Sequence, residues 1–333
     1  MKHYLGIDLS KEYFDVTLLK ATGEQVHAQF ENRPTGYGKL WKWLKEHGTR
    51  QAAVCMEATN TYWEGVTEYL YNKGYPVSVV NPARIKGYAM SQLRRSKTDK
   101  LDSAVIADFC RSCALKGGAA ALRTWTPPTP EQRQLRNLVR QRSTLVETLT
   151  QQKNRLGDCQ DETGKACWQR LITLLKAEIA QVDQALAQHI AQHPDLKKNC
   201  DLLCSIKGFG LISAATLMAE MPDLEHYKDA AAVAADAGVT PAHYESGDTV
   251  RRKPRMSRIG KTAIRSLLYM PAITAMRSNP LLQRFAERLR QKGKPNKLII
   301  VAVMRKLLHL AYGVLKHQKP FDPHYAVAPW PVT

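Results

Sequence analysis

The sequence predicts an α/β N-terminal domain, a pair of long helices, and a mostly α-helical C-terminal region. Three observations carry this. The first ~115 residues alternate short strand-like runs with helical stretches. The segment Thr124-Trp125-Thr126-Pro127-Pro128-Thr129-Pro130 is dense in proline, which fixes the backbone and removes donors, so it reads as a linker. Beyond it, leucines recur at a three-four spacing.

Taken in order, Tyr4 to Leu9, Phe14 to Leu19 and Gln25 to Phe30 are strand-like runs separated by Lys11-Glu12 and by Thr22-Gly23, which suits an antiparallel meander. A helix is expected over about Gly36 to Glu46, a buried strand over Ala52 to Met56, and a helix over Tyr62 to Asn72. Val77 to Val80 reads as a further strand and Asp99 to Ala114 as helix. Three meander strands followed by alternating helix and strand is the order of an RNase H-like fold. After the linker, Leu135, Leu138, Leu145, Leu149 and Leu156 mark one long helix, and Ile172, Leu175, Ile179, Val182 and Leu186 mark a second. They predict an antiparallel hairpin, a coiled coil with another chain, or an ordinary bundle within one protomer. Pro194 ends the second helix, and a compact helical region begins near Leu202. Its opening, Ile206-Lys207-Gly208-Phe209-Gly210, resembles a helix-hairpin-helix, in which glycines let amides approach phosphate; a glycine-rich connection between core helices fits as well.

The chain has 333 residues, enough for two domains and a sizeable core. It carries 49 Lys+Arg against 30 Asp+Glu, a formal charge of +19, which predicts a polyanionic partner, nucleic acid first. From Glu245 to Lys316 there are seventeen basic residues and three acids, so +14 of the charge lies in that stretch. No apolar run approaches the ~18 residues needed to span a bilayer, and the opening Met-Lys-His-Tyr-Leu-Gly-Ile-Asp lacks a secretory apolar region, so a membrane or secreted protein is not expected. Seven scattered cysteines fit free thiols in a reducing compartment.

Acids mark the first candidate site. Asp8 interrupts an apolar strand and Glu57 ends the fourth strand, which in this topology lies beside the first. Asp99 and Asp102, three apart, share one helix face if the helix has begun there. Four carboxylates on these element ends suit Mg²⁺, a hard cation that prefers oxygen ligands, and nuclease-type chemistry on phosphodiesters. Arg94, Arg95 and Lys97 just before the aspartates are candidate phosphate anchors. Within the basic stretch, Ser246 stands next to Gly247 and is followed by Arg251, Arg252, Lys253, Arg255, Arg258, Lys261 and Arg265. It is a candidate nucleophile toward a phosphate the cations hold, or a turn serine.

Together these residues resemble a family, the DEDD-type insertion-sequence transposases of the IS one-ten family, known as bridge-RNA-guided recombinases. The resemblance rests on the opening Gly-Ile-Asp, Glu57-Ala-Thr, Asn81-Pro82, Lys97-Thr-Asp-x-x-Asp102, the Gly-x-Gly at Gly208, Gly238-x-Thr-Pro through Glu245-Ser246-Gly247, Leu267-Leu-Tyr-Met-Pro271 and Ala311-Tyr-Gly313. It runs over nearly the whole chain. Lys261 departs from the polar uncharged residue common at its place in the family.

The resemblance implies a RuvC-like domain over residues 1–123, a linker and coiled-coil helices over 124–195, and a transposase domain over 196–333. It implies Mg²⁺ at Asp8, Glu57, Asp99 and Asp102, and Ser246 as a nucleophile that forms a covalent phosphoserine, with the acids assisting at the same phosphate in a site built from two protomers. A guide RNA from the element's own non-coding end would pair with donor and target double-stranded DNA. A homo-oligomer, a dimer or dimer of dimers, in the bacterial cytoplasm near the nucleoid is implied too. Two rivals stand beside this reading: a RuvC-type metal-dependent junction nuclease in which Ser246 is incidental, and an RNA-binding scaffold whose acids are structural. Ser257 is a second candidate nucleophile and His243 a candidate base. Trp63, Tyr62, Trp125 and Trp168 are candidates for stacking on bases or for core packing. Cys110-x-x-Cys113, lacking a second pair, reads as buried thiols rather than a metal site.

Overall fold

Residues 1–127 and 128–333 form two compact units of the computed structural model. It describes residues 3–49, 51–58, 61–92, 99–116, 122–222, 224, 227–246, 250–257 and 259–323, with the backbone alone at 99–100, 243–246 and 250–255.

In the first unit, β1 (His3–Leu9), β2 (Tyr13–Leu19), β3 (Gln25–Glu31), β4 (Ala52–Glu57) and β5 (Val77–Val80) make one sheet in the order β3-β2-β1-β4-β5. The first three strands pair antiparallel, and β4 and β5 join in parallel. This mixed sheet with flanking helices is compatible with an RNase H-like domain. Alternation along the strands feeds two apolar layers. Leu5, Ile7, Phe14, Val16, Val54 and Met56 pack beneath α1 (Pro34–Glu46) and α2 (Glu64–Asn72). Tyr4, Leu19, Cys55 and Val80 face α3 (Pro82–Ser91) and α4 (Asp99–Lys116). α3 is an element the sequence reading did not anticipate, although Asn81 caps it by accepting from the Ala83 amide and Pro82 stands at its first turn.

The seat of α4 on the sheet is set at Gly6. A Cβ there would overlap the Ser103 carbonyl oxygen and the Ala107 nitrogen, both backbone atoms. Beside it, the buried hydroxyls of Thr17 and Ser103 share a hydrogen bond of 2.8 Å that ties α4 to β2. Gly6→Ala is therefore expected to push α4 off the sheet at a cost of about 3 kcal/mol, the upper part of the range for overpacking. Calorimetry should show the midpoint of the first unit falling by roughly 10 °C; a shift under 2 °C would mean that α4 does not sit on Gly6. All seven cysteines are free, and Cys55, Cys110 and Cys113 are buried in the α4 layer. The end of the linker is not loose: the Trp125 amide donates to the Val77 carbonyl, and the Trp125 ring meets Trp63 and Tyr71 edge-on. Those aromatics pack on one another.

In the second unit, α5 (Pro130–Asp158) begins with a capping box between Thr129 and Gln132, and α6 (Glu162–Gln192) begins at Asp161. Three residues separate them, so they fold back as an antiparallel hairpin, tied by the Arg142–Asp183 ion pair. At the base of this hairpin Leu135, Val139, Leu186 and Ile190 are buried in the same core as the helices that follow. Those are α7 (Pro194–Cys204), α8 (Leu211–Glu220), α9 (Ala230–Asp236), α10 (Thr262–Ser278), α11 (Pro280–Gln291) and α12 (Asn296–His317). The turn at Gly208 (φ +118°) lies against α10, where a Cβ would press on Ala275, so close approach by this protein's own helix accounts for that glycine. Contrary to the expectation that no apolar run approaches a spanning length, α12 is by length and composition apolar enough to cross a membrane, with Arg305 and Lys306 inside it. Ile299, Val303, Leu307, Leu308 and Ala311 of α12 are buried in the unit's core. Within this mostly α-helical unit lies a two-stranded sheet that the sequence did not predict, β6 (Pro241–Ser246) with β7 (Val250–Met256).

Candidate active site

Asp8 lies at the C-terminal end of β1, where the parallel neighbour β4 keeps Gly6 opposite Cys55 and Ile7 opposite Met56. One residue further, Glu57 reaches the level of Asp8. Because side chains alternate along strands, both carboxylates emerge on the Gly6–Cys55 face, the one α4 covers. Asp102 precedes Ser103, the residue pinned over Thr17, so the first turns of α4 bring it to the same side of the sheet. Asp8, Glu57 and Asp102 are all half-buried. Asp99 opens α4, and its side chain is outside the described residues. Among the described residues no group of three or more His, Cys, Asp or Glu is assembled at ligating distance. The arrangement brings acids together on one face by topology, and an all-oxygen donor set of this kind suits a hard divalent cation.

A further acid on that face escaped the sequence reading. Asp15 of β2 stands directly across from Asp8 in the β1–β2 register and is only 8 % exposed. It accepts from Gln29 Nε2 at 3.0 Å and pairs with His27 Nε2 at 3.1 Å, so β3 supplies its partners. An acid at an inward position of a strand was the available signal.

Ser246 is the last residue of β6 and pairs with Val250 across the hairpin. Glu245 stands opposite Arg251 and Tyr244 opposite Arg252, with a bulge between Ala242 and Tyr244. Lys253 and Arg255 continue β7. Arg94, Arg95, Lys97 and Arg258 lie outside the described residues. Lys261 and Arg265, both expected at nucleic acid, also make contacts within this protein. Lys261 Nζ donates to the Glu220 carbonyl at 2.8 Å, and Arg265 donates to the carbonyls of Gly260 and Ala237 and to the Thr262 hydroxyl. Their donors hold main chain, and composition alone does not separate that use from a phosphate contact. Ser257 is likewise tied in, its amide donating to the Thr240 carbonyl.

Basic residues that the sequence reading counted but did not assign to a site surround a cavity of about 700 Å³ on α10 and α11, lined by Arg277, Arg284, Arg288 and Arg290 with Glu287 as its acid. Arg290 pairs with Glu287. Arg288 and, from α12, Lys306 both stand over the Phe285 ring at 5.5 Å. Burial, and then the nearby Arg305 and Arg288, push the Lys306 ammonium below its usual range. Like charges crowded this way are relieved by a polyanion.

Comparison with known proteins bears on both units. Residues 5–165 match a transposase family model of the DEDD type, and residues 200–287 match the model described as transposase, IS116/IS110/IS902 family. The pilin gene-inverting protein of Moraxella bovis is 32 % identical over 324 residues, covering 96 % of this chain and 98 % of that protein; its counterpart from Moraxella lacunata is 31 % identical over the same shares. The transposase for insertion sequence element IS1111A of Coxiella burnetii is 20 % identical over 82 % of this chain and 78 % of its own length. Two matched models and a relative spanning nearly the whole chain carry one conclusion: this chain belongs to the IS116/IS110/IS902 family of transposases.

Proposed function

We propose that this transposase is an RNA-guided DNA recombinase that cuts and rejoins donor and target DNA through a covalent bond to Ser246. The observation that carries it is the position of Ser246, at the end of β6 in a hairpin whose second strand begins Val250-Arg251-Arg252-Lys253. In the covalent step the Ser246 oxygen attacks a DNA phosphorus and loses its proton, while the bond from phosphorus to the leaving sugar oxygen breaks and that oxygen gains a proton. The phosphodiester energy stays in the phosphoserine bond, and reversal with a different sugar hydroxyl rejoins strands without ATP. The arginines of β7 would hold the phosphate and offset developing charge. Inverting a gene, the act named in the Moraxella relatives, requires strands to be both cut and rejoined, which suits a covalent intermediate.

The domain assignment goes with this reading: RuvC-like over 1–123, coiled-coil helices over 124–195, and a transposase domain over 196–333 with a helix-hairpin-helix-like turn at Gly208. Asp8, Glu57, Asp99 and Asp102 would hold Mg²⁺. When bound, the ion supplies charge neutralisation and orientation of phosphate oxygens. The carboxylates themselves hold that corner of the sheet negative, so it recruits cations rather than bare phosphate. A guide RNA selects the DNA, and a homo-oligomer acts in the cytoplasm at the nucleoid.

The test incubates purified protein with the small RNA encoded beside its gene, Mg²⁺, and DNA carrying the element's junction and insertion site. An SDS-resistant adduct that needs the RNA and maps to Ser246 is expected. Free nicked DNA with no adduct, from this protein and from Ser246→Ala alike, would make it a junction nuclease. The arginine cavity gives a separate prediction: Arg284→Gln should weaken DNA or RNA binding uniformly across sequences and lower the slope of log K against log salt by about 1. An unchanged slope in a salt titration would remove Arg284 from the interface.

A further inference from the structure

The β6–β7 hairpin has only two strands, and a pair of strands is marginally stable without support. Its bearing must therefore be fixed where it leaves the helices. The incoming leg rises from the end of α9 through Ala237, Gly238 and Val239, and the outgoing leg returns through Ser257, Ile259 and Gly260 into α10. At this joint the two legs touch backbone to backbone. Gly260 (φ +143°) packs against the Asp236 carbonyl and the Gly238 nitrogen with no room for a Cβ, and a Cβ on Gly238 (φ +69°) would meet the Ile259 carbonyl and the Arg265 guanidinium. The Ser257 amide donates to the Thr240 carbonyl at 2.8 Å and the Lys261 amide to the Asp236 carbonyl at 2.9 Å.

Two side chains span the joint: Lys261 Nζ stands 3.5 Å from Asp236 Oδ2, and Arg265 reaches both legs. Arg265 Nη1 donates to Gly260 O of the outgoing leg at 2.9 Å and reaches Ala237 O of the incoming leg at 3.4 Å, while Nη2 donates to Thr262 Oγ1 at 2.8 Å. Asp236 and Ala237 lie at the C-terminal end of α9, where carbonyls lack intrahelical donors and a cation is favoured. A planar fork with several donors can serve three acceptors at once; an ammonium on a flexible stem cannot hold the same geometry.

We propose that Arg265 is a positioning residue of the recombination reaction: it locks the two legs of the hairpin together and so sets the bearing at which Ser246 is presented to the phosphate. The proposal rests on the reading of Ser246 as the nucleophile. It also gives the family's basic stretch two kinds of cation, one that faces nucleic acid and one that keeps the hairpin aimed.

Arg265→Lys separates the two uses because it keeps the charge and loses the fork. We expect DNA affinity within twofold of the unaltered protein and an unchanged salt slope, with the rate of Ser246 adduct formation at saturating DNA reduced about 10- to 100-fold, the scale of a misplacement near 1 Å. Thr262→Val, which removes one acceptor and no charge, should show a smaller loss of the same kind and guards against a variant that fails to fold. Amide exchange at Ser257 and Lys261 should quicken in Arg265→Lys while the amides of α12 stay protected. Three outcomes overturn the proposal: Arg265→Lys forming the adduct at the normal rate; Arg265→Gln weakening DNA binding with a salt slope lower by about 1, which makes Arg265 a phosphate contact; or exchange at the joint that does not change. If the unaltered protein forms its adduct at a residue other than Ser246, the nucleophile reading has failed, and unchanged or quickened exchange still decides whether Arg265 holds the joint.

Discussion

Ser246→Ala is expected to lower recombination by about 10⁴-fold or more while leaving folding and DNA affinity intact. Removing a covalent nucleophile eliminates the low-energy route instead of weakening it, so the residual rate reflects only binding and electrostatics. Two features make the substitution clean. Ser246 ends a strand, where an alanine keeps the backbone pairing with Val250, and the cations of β7 that would hold the phosphate are left in place. The informative measurement is the covalent adduct alongside free strand ends. With the serine gone, the adduct should vanish and no new nicks should appear, because on this reading the acidic residues do not activate water against DNA. Nicks that persist at the normal rate would move the chemistry to the carboxylates and reduce Ser246 to a turn residue. Ser246→Cys is a sharper probe still, since a thiol can attack phosphorus slowly at the same place, and a weak adduct restored by cysteine would be hard to explain otherwise.

The parts of this molecule that were readable in advance share a physical cause. β1, β2 and β3 are apolar runs broken by short polar turns, and their boundaries differ from the expected ones by a residue at most. That the ends of β1 and β4 carrying Asp8 and Glu57 lie level follows from strand order alone, since β4 runs parallel beside β1. β6 and β7 had no such signal. In Val250-Arg-Arg-Lys-Pro-Arg-Met256 the alternation of Val250, Pro254 and Met256 is broken by Arg252 and by a proline, and the hairpin rests on backbone pairing plus the joint at Gly238 and Gly260. The same limit hid the carbonyl contacts of Lys261 and Arg265: a cation that serves a carbonyl and one that serves a phosphate are the same letter. The hairpin of α5 and α6 shows a third case. Heptad spacing marked two long helices but not their full 29 and 31 residues, and periodicity says nothing of which end is buried: Leu135, Val139, Leu186 and Ile190 belong to the core of the following helices.

The acids make the second large prediction, one that can be read without any DNA. On the proposed reading, the carboxylates that would share a cation repel one another when none is bound, and that repulsion would lower the stability of the first unit. Asp8→Asn should therefore raise its thermal midpoint by a few degrees in the presence of a chelator. Added Mg²⁺ should reverse the order. A ligand that binds only the folded state stabilises by RT ln(1 + [L]/Kd), about 2.7 kcal/mol at a hundredfold excess over Kd, so the unaltered protein should gain several degrees and Asp8→Asn almost none. In the recombination assay the same variant should lose about 10³-fold, the scale of several kcal/mol of charge stabilisation at the phosphate. Asp15 supplies the internal control. It shares the face and stands opposite Asp8, and its carboxylate is held by His27 and Gln29 of β3. Asp15→Asn should leave the Mg²⁺-dependent shift in place and cost stability, because His27 loses its partner. Equal behaviour of the two variants, or a Mg²⁺ shift that survives Asp8→Asn, would show that the acids of this face are structural, and the metal would have to be held elsewhere.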